Sequence, residues 1–266
     1  MNALRLQWRK TLLELLPPVV VRGLRWLRAR GAEETDQALP EILPPVPQAS
    51  AAPLYWGLQN LDQQIEKYLD FDDGFYVELG ANDGLRFSNT YYYERQRNWH
   101  GILIEPTPNR FLECRSNRAE KNFVACAACV SFGFKPEFVK MIYCDLMSVA
   151  TGLETDISDA TGHAELGRQF LANGADNFIF GAYARTLNSI LLEAEAPNLI
   201  DFLSLDVEGA EIEVLKGVDH GQFRFRHMLI ESRDIDKLRA YLDPLGYRLA
   251  EKFEEHDYMF VGVCKQ

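Results

Sequence analysis

The chain has 266 residues, a length that accommodates one α/β domain with extensions. Apolar residues make up 47% and charged residues 25%, the balance of a globular protein, which excludes a disordered or membrane-embedded class. The net charge of −11 excludes a general nucleic-acid binder, because phosphate recognition needs a positive surface.

The charge is unevenly spread. Residues 1–30 carry seven basic side chains against Glu14 alone, a net of +6 that leaves −17 for the rest. Leu4, Trp8, Leu12, Leu15 and Leu16 recur at helical spacing with Arg5, Arg9 and Lys10 beside them, until Pro17-Pro18. Residues 1–31 have two readings: a basic amphipathic segment attached peripherally to the anionic inner face of a membrane or to a partner, or a helix packed on its own domain. No apolar run approaches the roughly 20 residues needed to span a bilayer, and none leads to a small-residue cleavage site, so a cytoplasmic location is expected. Residues 32–53, with Pro40, Pro44, Pro45, Pro47 and Pro53, read as a semi-rigid linker.

From residue 54 to 266 the pattern alternates. Helical spacing over 58–69 precedes a strand at 75–79; Ser88 is a good N-cap for a helix over 88–97; a strand at 101–104 and a helix at 109–117 follow. A strand at 123–130 leads into an irregular insert, 131–185, the candidate acceptor pocket. The alternation resumes with strand 202–205, helix 210–216, strand 227–230, helix 235–245, and strands near 247–253 and 258–263 that suggest an antiparallel hairpin at one edge. This order predicts an α/β, doubly wound, mostly parallel sheet covered on both faces. The five cysteines, Cys114, Cys126, Cys129, Cys144 and Cys264, are an odd set and suggest free thiols in a reducing compartment. Cys126-Ala-Ala-Cys129 invites a metal or redox reading, yet residues three apart on a strand face opposite sides, so buried structural thiols are expected.

In such a sheet, ligands bind beyond the carboxyl ends of the strands. The first strand runs into Glu78-Leu79-Gly80-Ala81-Asn82-Asp83-Gly84, where Gly80 and Gly84 permit a tight turn and close approach of backbone to ligand. The spacing G-x-x-x-G departs from the dinucleotide fingerprint, and with the preceding Glu78 it favours S-adenosylmethionine over a nicotinamide cofactor. Glu105 ends the next strand and suits the two hydroxyls of a ribose. The strand at 202–205 delivers Asp206 and Glu208 to its carboxyl end. One of them can hold an acceptor hydroxyl and take its proton, both can bind a divalent cation, or Asp206 can simply cap the next helix. No dedicated metal site is expected. Of the histidines, His100 and His227 precede strands and belong at the far end, His220 follows a helix and reads as solvated, and His163 sits in the insert. His256, in the final turn, is the better candidate for proton transfer. Arg86 either meets an anionic acceptor or faces solvent.

The runs Phe75–Gly84, Ser88-Asn89-Thr90, Trp99–Pro106, Thr186–Ile190, Asp201–Lys216 and Gly246-Tyr247 with Asp257–Val261 together resemble the FkbM methyltransferase family. The resemblance implies a seven-stranded class I methyltransferase (Rossmann-like) sheet with a reversed C-terminal strand at its edge. It implies that Glu78, Gly80, Asn82 and Gly84 line the methionine part of the donor and Glu105 its ribose, with Asn89 and Pro106 in the same binding set. Asp206 and Glu208 would face the methyl-transfer site. Asn188 stands where the family has an acid. An O-methyltransferase acting on a sugar, glycan or similar small molecule is the expectation; the alternative is a non-catalytic, membrane-associated domain for binding or trafficking.

Overall fold

The computed structural model describes residues 54–171 and 175–263, so the basic head, the linker and Cys264 lie outside the described residues. β1 (Phe75–Leu79), β2 (His100–Ile104) and β3 (Phe123–Ala125) pair in parallel. The chain then leaves that sheet: β4 (Ala128–Cys129), β5 (Phe138–Tyr143), β6 (Val149–Thr151) and β7 (Phe178–Arg185) build a second sheet in the order β4-β7-β5-β6. It returns through β8 (Leu199–Leu205) and β9 (Arg224–Glu231), both parallel to β1, and ends in the hairpin β10 (Tyr247–Lys252) and β11 (Asp257–Gly262). The main sheet has seven strands in the order β3-β2-β1-β8-β9-β11-β10. The reversed strand is β11, set between β9 and the edge strand β10, so the hairpin closes that edge as expected.

Helices cover both faces because the strands are apolar on both. Val77, Ile102 and Leu203 bury one face against α5 (Leu187–Glu193), α6 (Glu211–Leu215) and α7 (Ile235–Leu242). Their strand neighbours Tyr76, Leu103 and Phe202 bury the other, beneath α1 (Leu61–Gln64) and the aromatic residues of α2 (Tyr91–Gln96). That alternation is the strand period of two, used twice. α3 (Pro108–Asn117) opens on a proline, as a first turn tolerates. No helix among the described residues is long and apolar enough to cross a membrane.

Three sequence expectations change. The helix over 58–69 is broken: Gln59 and Asn60 take φ of 54° and 58°, and the buried Asp62 carboxylate accepts the Trp56 amide at 2.6 Å, which leaves only α1 between 3₁₀ turns. The strand over 123–130 stops at Ala125, and Ala128-Cys129 joins β7 in the other sheet. Cys126 therefore sits by the Pro106 carbonyl at 3.8 Å while Cys129 lies in the core, and burial pushes the Cys129 thiol up to about 12. The insert is not irregular. It carries the second sheet and α4 (Ala160–Gly167), whose N-cap Asp159 accepts the Gly162 amide.

Candidate active site

Strand order reverses between β1 and β8, and the carboxyl ends of β1, β2, β8 and β9 open there into a cavity of about 600 Å³. The insert supplies part of its wall through Met141, Asp145, Ala150, Leu153 and Phe170, and the β10–β11 turn supplies Glu254 to Asp257.

Gly80 has φ of +79°, and a Cβ there would stand 1.9 Å from the carbonyl oxygen of Asp206. The bend is thus pressed against the end of β8, which no side chain permits. Asn82, itself at φ of 45°, gives its amide to Glu105 at 2.9 Å and its side-chain nitrogen to Asp145 at 3.3 Å. Glu105 also takes the Thr107 amide at 2.8 Å, and burial raises its pKa. Asn89 donates to the Ser204 hydroxyl at 3.1 Å, while its own side-chain oxygen is buried with no hydrogen-bond partner among the described residues. Gly80, Asn82, Asn89, Glu105 and Pro106 all line the cavity.

Glu78 and Gly84 do not line it. The Glu78 carboxylate is saturated behind the wall by Ser88 Oγ (2.9 Å), the Asn89 amide (3.0 Å), Thr90 Oγ1 (2.6 Å) and Arg118 (3.3 Å). Gly84, at φ of +80°, fits against Cys114 and Arg118, and its carbonyl accepts from the Arg118 guanidinium at 3.0 Å. Both shape the bend from behind. Ser88 also accepts the Thr90 and Tyr91 amides, but α2 begins later than expected, at Tyr91 with Thr90 as its N-cap, so Ser88 braces the turn before the helix.

The wall beside the Gly80 bend, at the ends of β8 and β9, is acidic. Asp206, Glu208 and Glu231 each bring a carboxylate oxygen within 4.8 Å of the others. Glu208 holds φ of 56°, an uncommon conformation for a residue with a side chain, next to Gly209 at 95°. Asp206 does not cap α6. Glu211 instead reaches back and accepts the Val207 amide at 3.1 Å and the Gly209 amide at 3.0 Å, which fixes the turn. Arg233 is the cluster's cation, 3.1 Å from Glu208 and 3.3 Å from Glu231. His163 Nε2 lies 2.9 Å from the same Glu208 oxygen, whereas His256 lines the cavity at the hairpin turn with Glu255 3.8 Å away. His163 is therefore the histidine against the acids.

Enclosure, then Glu231 and Glu208, pushes the Asp206 carboxyl well above its ordinary range even though its side chain opens on the cavity. Burial pushes Glu231 up to about 7 and Glu211 up to about 8. Because the folded state holds these protons more tightly than the unfolded chain, their contribution to stability is complete below the ordinary carboxylate range. It is lost as pH rises through about 7 to 8. Thermal unfolding should show a lower midpoint near pH 8.5 than near pH 5.5, by a few kcal/mol in stability. Glu211→Gln, which keeps the acceptor and removes the charge, should flatten that slope; equal midpoints for the wild type across the range would contradict the assignment.

The remaining candidates fall in expected and unexpected places. Arg86 lines the cavity, 3.4 Å from Asp145, with its guanidinium 5.2 Å from the Phe87 ring and 5.7 Å from that of Phe170. His100 is exposed at the start of β2, and His227 Nδ1 lies 3.3 Å from the Asp201 carbonyl, both away from the cavity. His220 is not solvated: it is half-buried against Tyr241 and Tyr247, and burial lowers its pKa. Asn188 accepts the Asp219 amide at 3.0 Å and serves a loop. The sequence reading passed over Glu231, although it ends β9 much as Glu105 follows β2, and over Arg233, Glu211 and Asp145.

A family model described as the methyltransferase FkbM domain matches residues 78–249. No curated protein matches the chain. Among solved structures, TrmK of M. capricolum bound to S-adenosyl-homocysteine is similar at 11% identity over 74% of this chain and 66% of that one, with a TM-score of 0.37. The chain thus spans just under two thirds of that structure's length. Precorrin-6y C5,15-methyltransferase from Geobacter metallireducens GS-15 is similar at 14% identity over 76% and 86%, with a TM-score of 0.37. A SAM dependent methyltransferase from Aquifex aeolicus gives 10% identity over 75% and 86%, with a TM-score of 0.36.

Proposed function

The chain belongs to the FkbM methyltransferase family, and on that premise we propose that it methylates a hydroxyl oxygen of a sugar, glycan or similar small polar acceptor. The family implies S-adenosylmethionine as the methyl donor; the donor's use here and the acceptor class are our reading. The observation that carries this reading is the convergence of Asp206, Glu208 and Glu231 beside the Gly80 bend. A neutral hydroxyl must lose a proton as it is methylated, and a carboxylate is the group to hold and take it. The same charges repel phosphate or carboxylate acceptors.

Two features fit the donor: the side-chain-free Gly80 bend that lines the cavity, and the buried Asn89 oxygen, an open acceptor for an ammonium group. Glu105 is the group for the ribose hydroxyls, with Asn82 and Pro106 completing that side. The bound sulfonium supplies a carbon already activated for attack. What remains for the protein is alignment and proton handling. Glu208, fixed by Arg233 and faced by His163, is suited to orient the acceptor; Asp206, open to the cavity, is suited to hydrogen-bond the reacting hydroxyl.

The test is turnover with labelled S-adenosylmethionine across a panel of simple glycosides. Asp206→Asn and Glu208→Gln should each lower kcat by about a hundredfold while affinity for S-adenosylhomocysteine stays within about threefold. His256→Ala should cost less than about tenfold. Undiminished turnover in both acid variants would remove the assignment. Donor binding without turnover on any glycoside would favour the non-catalytic alternative.

A further inference from the structure

We propose that Glu231, at the end of β9, takes the proton from the acceptor hydroxyl and works as one proton-sharing pair with Asp206 at the neighbouring strand end. The inference rests on the hydroxyl-methylating reading above and deepens it.

β8 and β9 run parallel with Leu205 opposite Ile230, so Asp206, the first residue past β8, comes level with Glu231, the last residue of β9. Their carboxylates and that of Glu208 lie within 4.8 Å, a spacing at which three full negative charges do not coexist beside one cation. Arg233 is that cation, and its contacts assign the roles. Glu208 is committed, one of its oxygens accepting from Arg233 at 3.1 Å, with His163 Nε2 2.9 Å from the same oxygen but not hydrogen-bonded to it. Glu231 offers one oxygen to Arg233 at 3.3 Å, while its other oxygen is buried with no N–H or hydroxyl donor among the described residues, and its carboxyl shares a hydrogen bond with that of Asp206. Glu231 lines the cavity. An unsatisfied buried carboxylate oxygen at the reaction site is a waiting proton acceptor.

The surroundings hold this pair near neutrality. Burial first, and then Glu208, bring Glu231 to about 7, with Arg233 opposing. Asp257, the register partner of Glu231 on β11, adds negative charge from the other side. Asp156, from the loop before α4, takes the Arg233 amide at 2.7 Å, and Glu211 faces the pair from α6. His163 on α4 and His256 with Glu254 and Glu255 at the hairpin turn complete the titratable ring. Apart from Arg233 and the histidines, every one of these groups is acidic. The pair thus holds a proton more tightly than separate carboxyls do, and the form lacking it is the base.

The step balances. The methyl carbon leaves sulfur, which keeps the electron pair and becomes a neutral thioether, and bonds to the acceptor oxygen. The O–H electrons stay on that oxygen, and its proton passes to the unpartnered Glu231 oxygen. Asp206, open to cavity water, then carries the proton out.

The experiment uses the full chain with carboxyl-¹³C glutamate and aspartate, titrated by NMR in the wild type, Glu231→Gln and Asp206→Asn, with S-adenosylhomocysteine as the ligand probe. The wild type should show two coupled carboxyl transitions, one of them between about pH 6 and 8, and each variant should abolish the coupling. On any methylated glycoside of the panel, kcat should rise with pH through the same window. Glu231→Gln should lower it by about 10² or more without weakening S-adenosylhomocysteine binding, and Glu231→Asp should recover part of it. No carboxyl transition in that window, or a Glu231→Gln enzyme with more than about a tenth of wild-type kcat, overturns the proposal. If the wild type methylates no glycoside, the acceptor reading fails, while the titration still judges the pair.

Discussion

Arg118→Met is expected to lower the stability of the domain by about 3–5 kcal/mol, a large share of what a domain of this size possesses. The Arg118 side chain is fully enclosed. It donates to Glu94 at 2.8 Å, to Tyr76 Oη at 2.7 Å, to Thr90 at 2.9 Å, to the Gly84 carbonyl at 3.0 Å and to Glu78 at 3.3 Å. Burial alone would raise Glu94, but the Arg118 charge and its hydrogen bond, with the Ala119 amide, pull that carboxyl below its usual range. Methionine fills comparable volume yet leaves Glu78 and Glu94 buried without a cation, and an uncompensated buried charge is the costly case. Adding Glu94→Gln and Glu78→Gln to the same chain should therefore recover part of the loss. Lysine should not rescue fully, since one ammonium cannot reproduce the planar fork. Urea unfolding decides the matter: a loss under about 1 kcal/mol for Arg118→Met would mean that the network is not what sets the bend between β1 and α2.

That network marks where reading the sequence reached its limit. The strands β1, β2, β8 and β9 are legible because each is a short apolar run that ends in glycine or an acid, and their order alone predicts the sheet and the edge at which its ligands gather. Gly80, Asn82, Asn89, Glu105, Asp206 and Glu208 meet at one cavity for that reason. Glu78 was equally visible, but its surroundings were not: Arg118 lies 40 residues away, and nothing in local spacing announces that the two share a buried site. The insert was hidden for a different reason. Its strands mix exposed Phe138, Phe178 and Ile179 with buried Val139 and Ala182, so neither a period of two nor a continuous apolar run stands out. The break after Ala125 was invisible because 123–130 reads as one apolar run although its two halves pair in different sheets. Glu231 was legible by the strand-end rule that selected Glu105.

Gly80→Ala is expected to abolish useful donor binding while leaving the rest of the fold assembled. The residue sits at φ of +79°, a region that costs an L side chain roughly 1–2 kcal/mol before any contact is counted. Its new Cβ would then stand 1.9 Å from a backbone oxygen, that of Asp206, so relief requires β1 and β8 to part at the switch point. Asp206 donates its amide to the Leu79 carbonyl across that seam, and Gly80 and Ala81 both donate to the Ile104 carbonyl on the other side. Displacement would therefore spread to the amides, to Asn82 and to Glu105 together. Calorimetry with S-adenosylhomocysteine should register at least a hundredfold weaker binding, about 2.7 kcal/mol. Gly84→Ala is the informative control. Its φ is equally positive at +80°, but its Cβ meets the Arg118 and Cys114 side chains at 2.9 Å, away from the cavity. It should cost stability through the Arg118 network and disturb affinity far less. The contrast separates a bend that touches the donor from one that only supports it: wild-type affinity in Gly80→Ala, or lost affinity without lost stability in Gly84→Ala, would reverse the two roles.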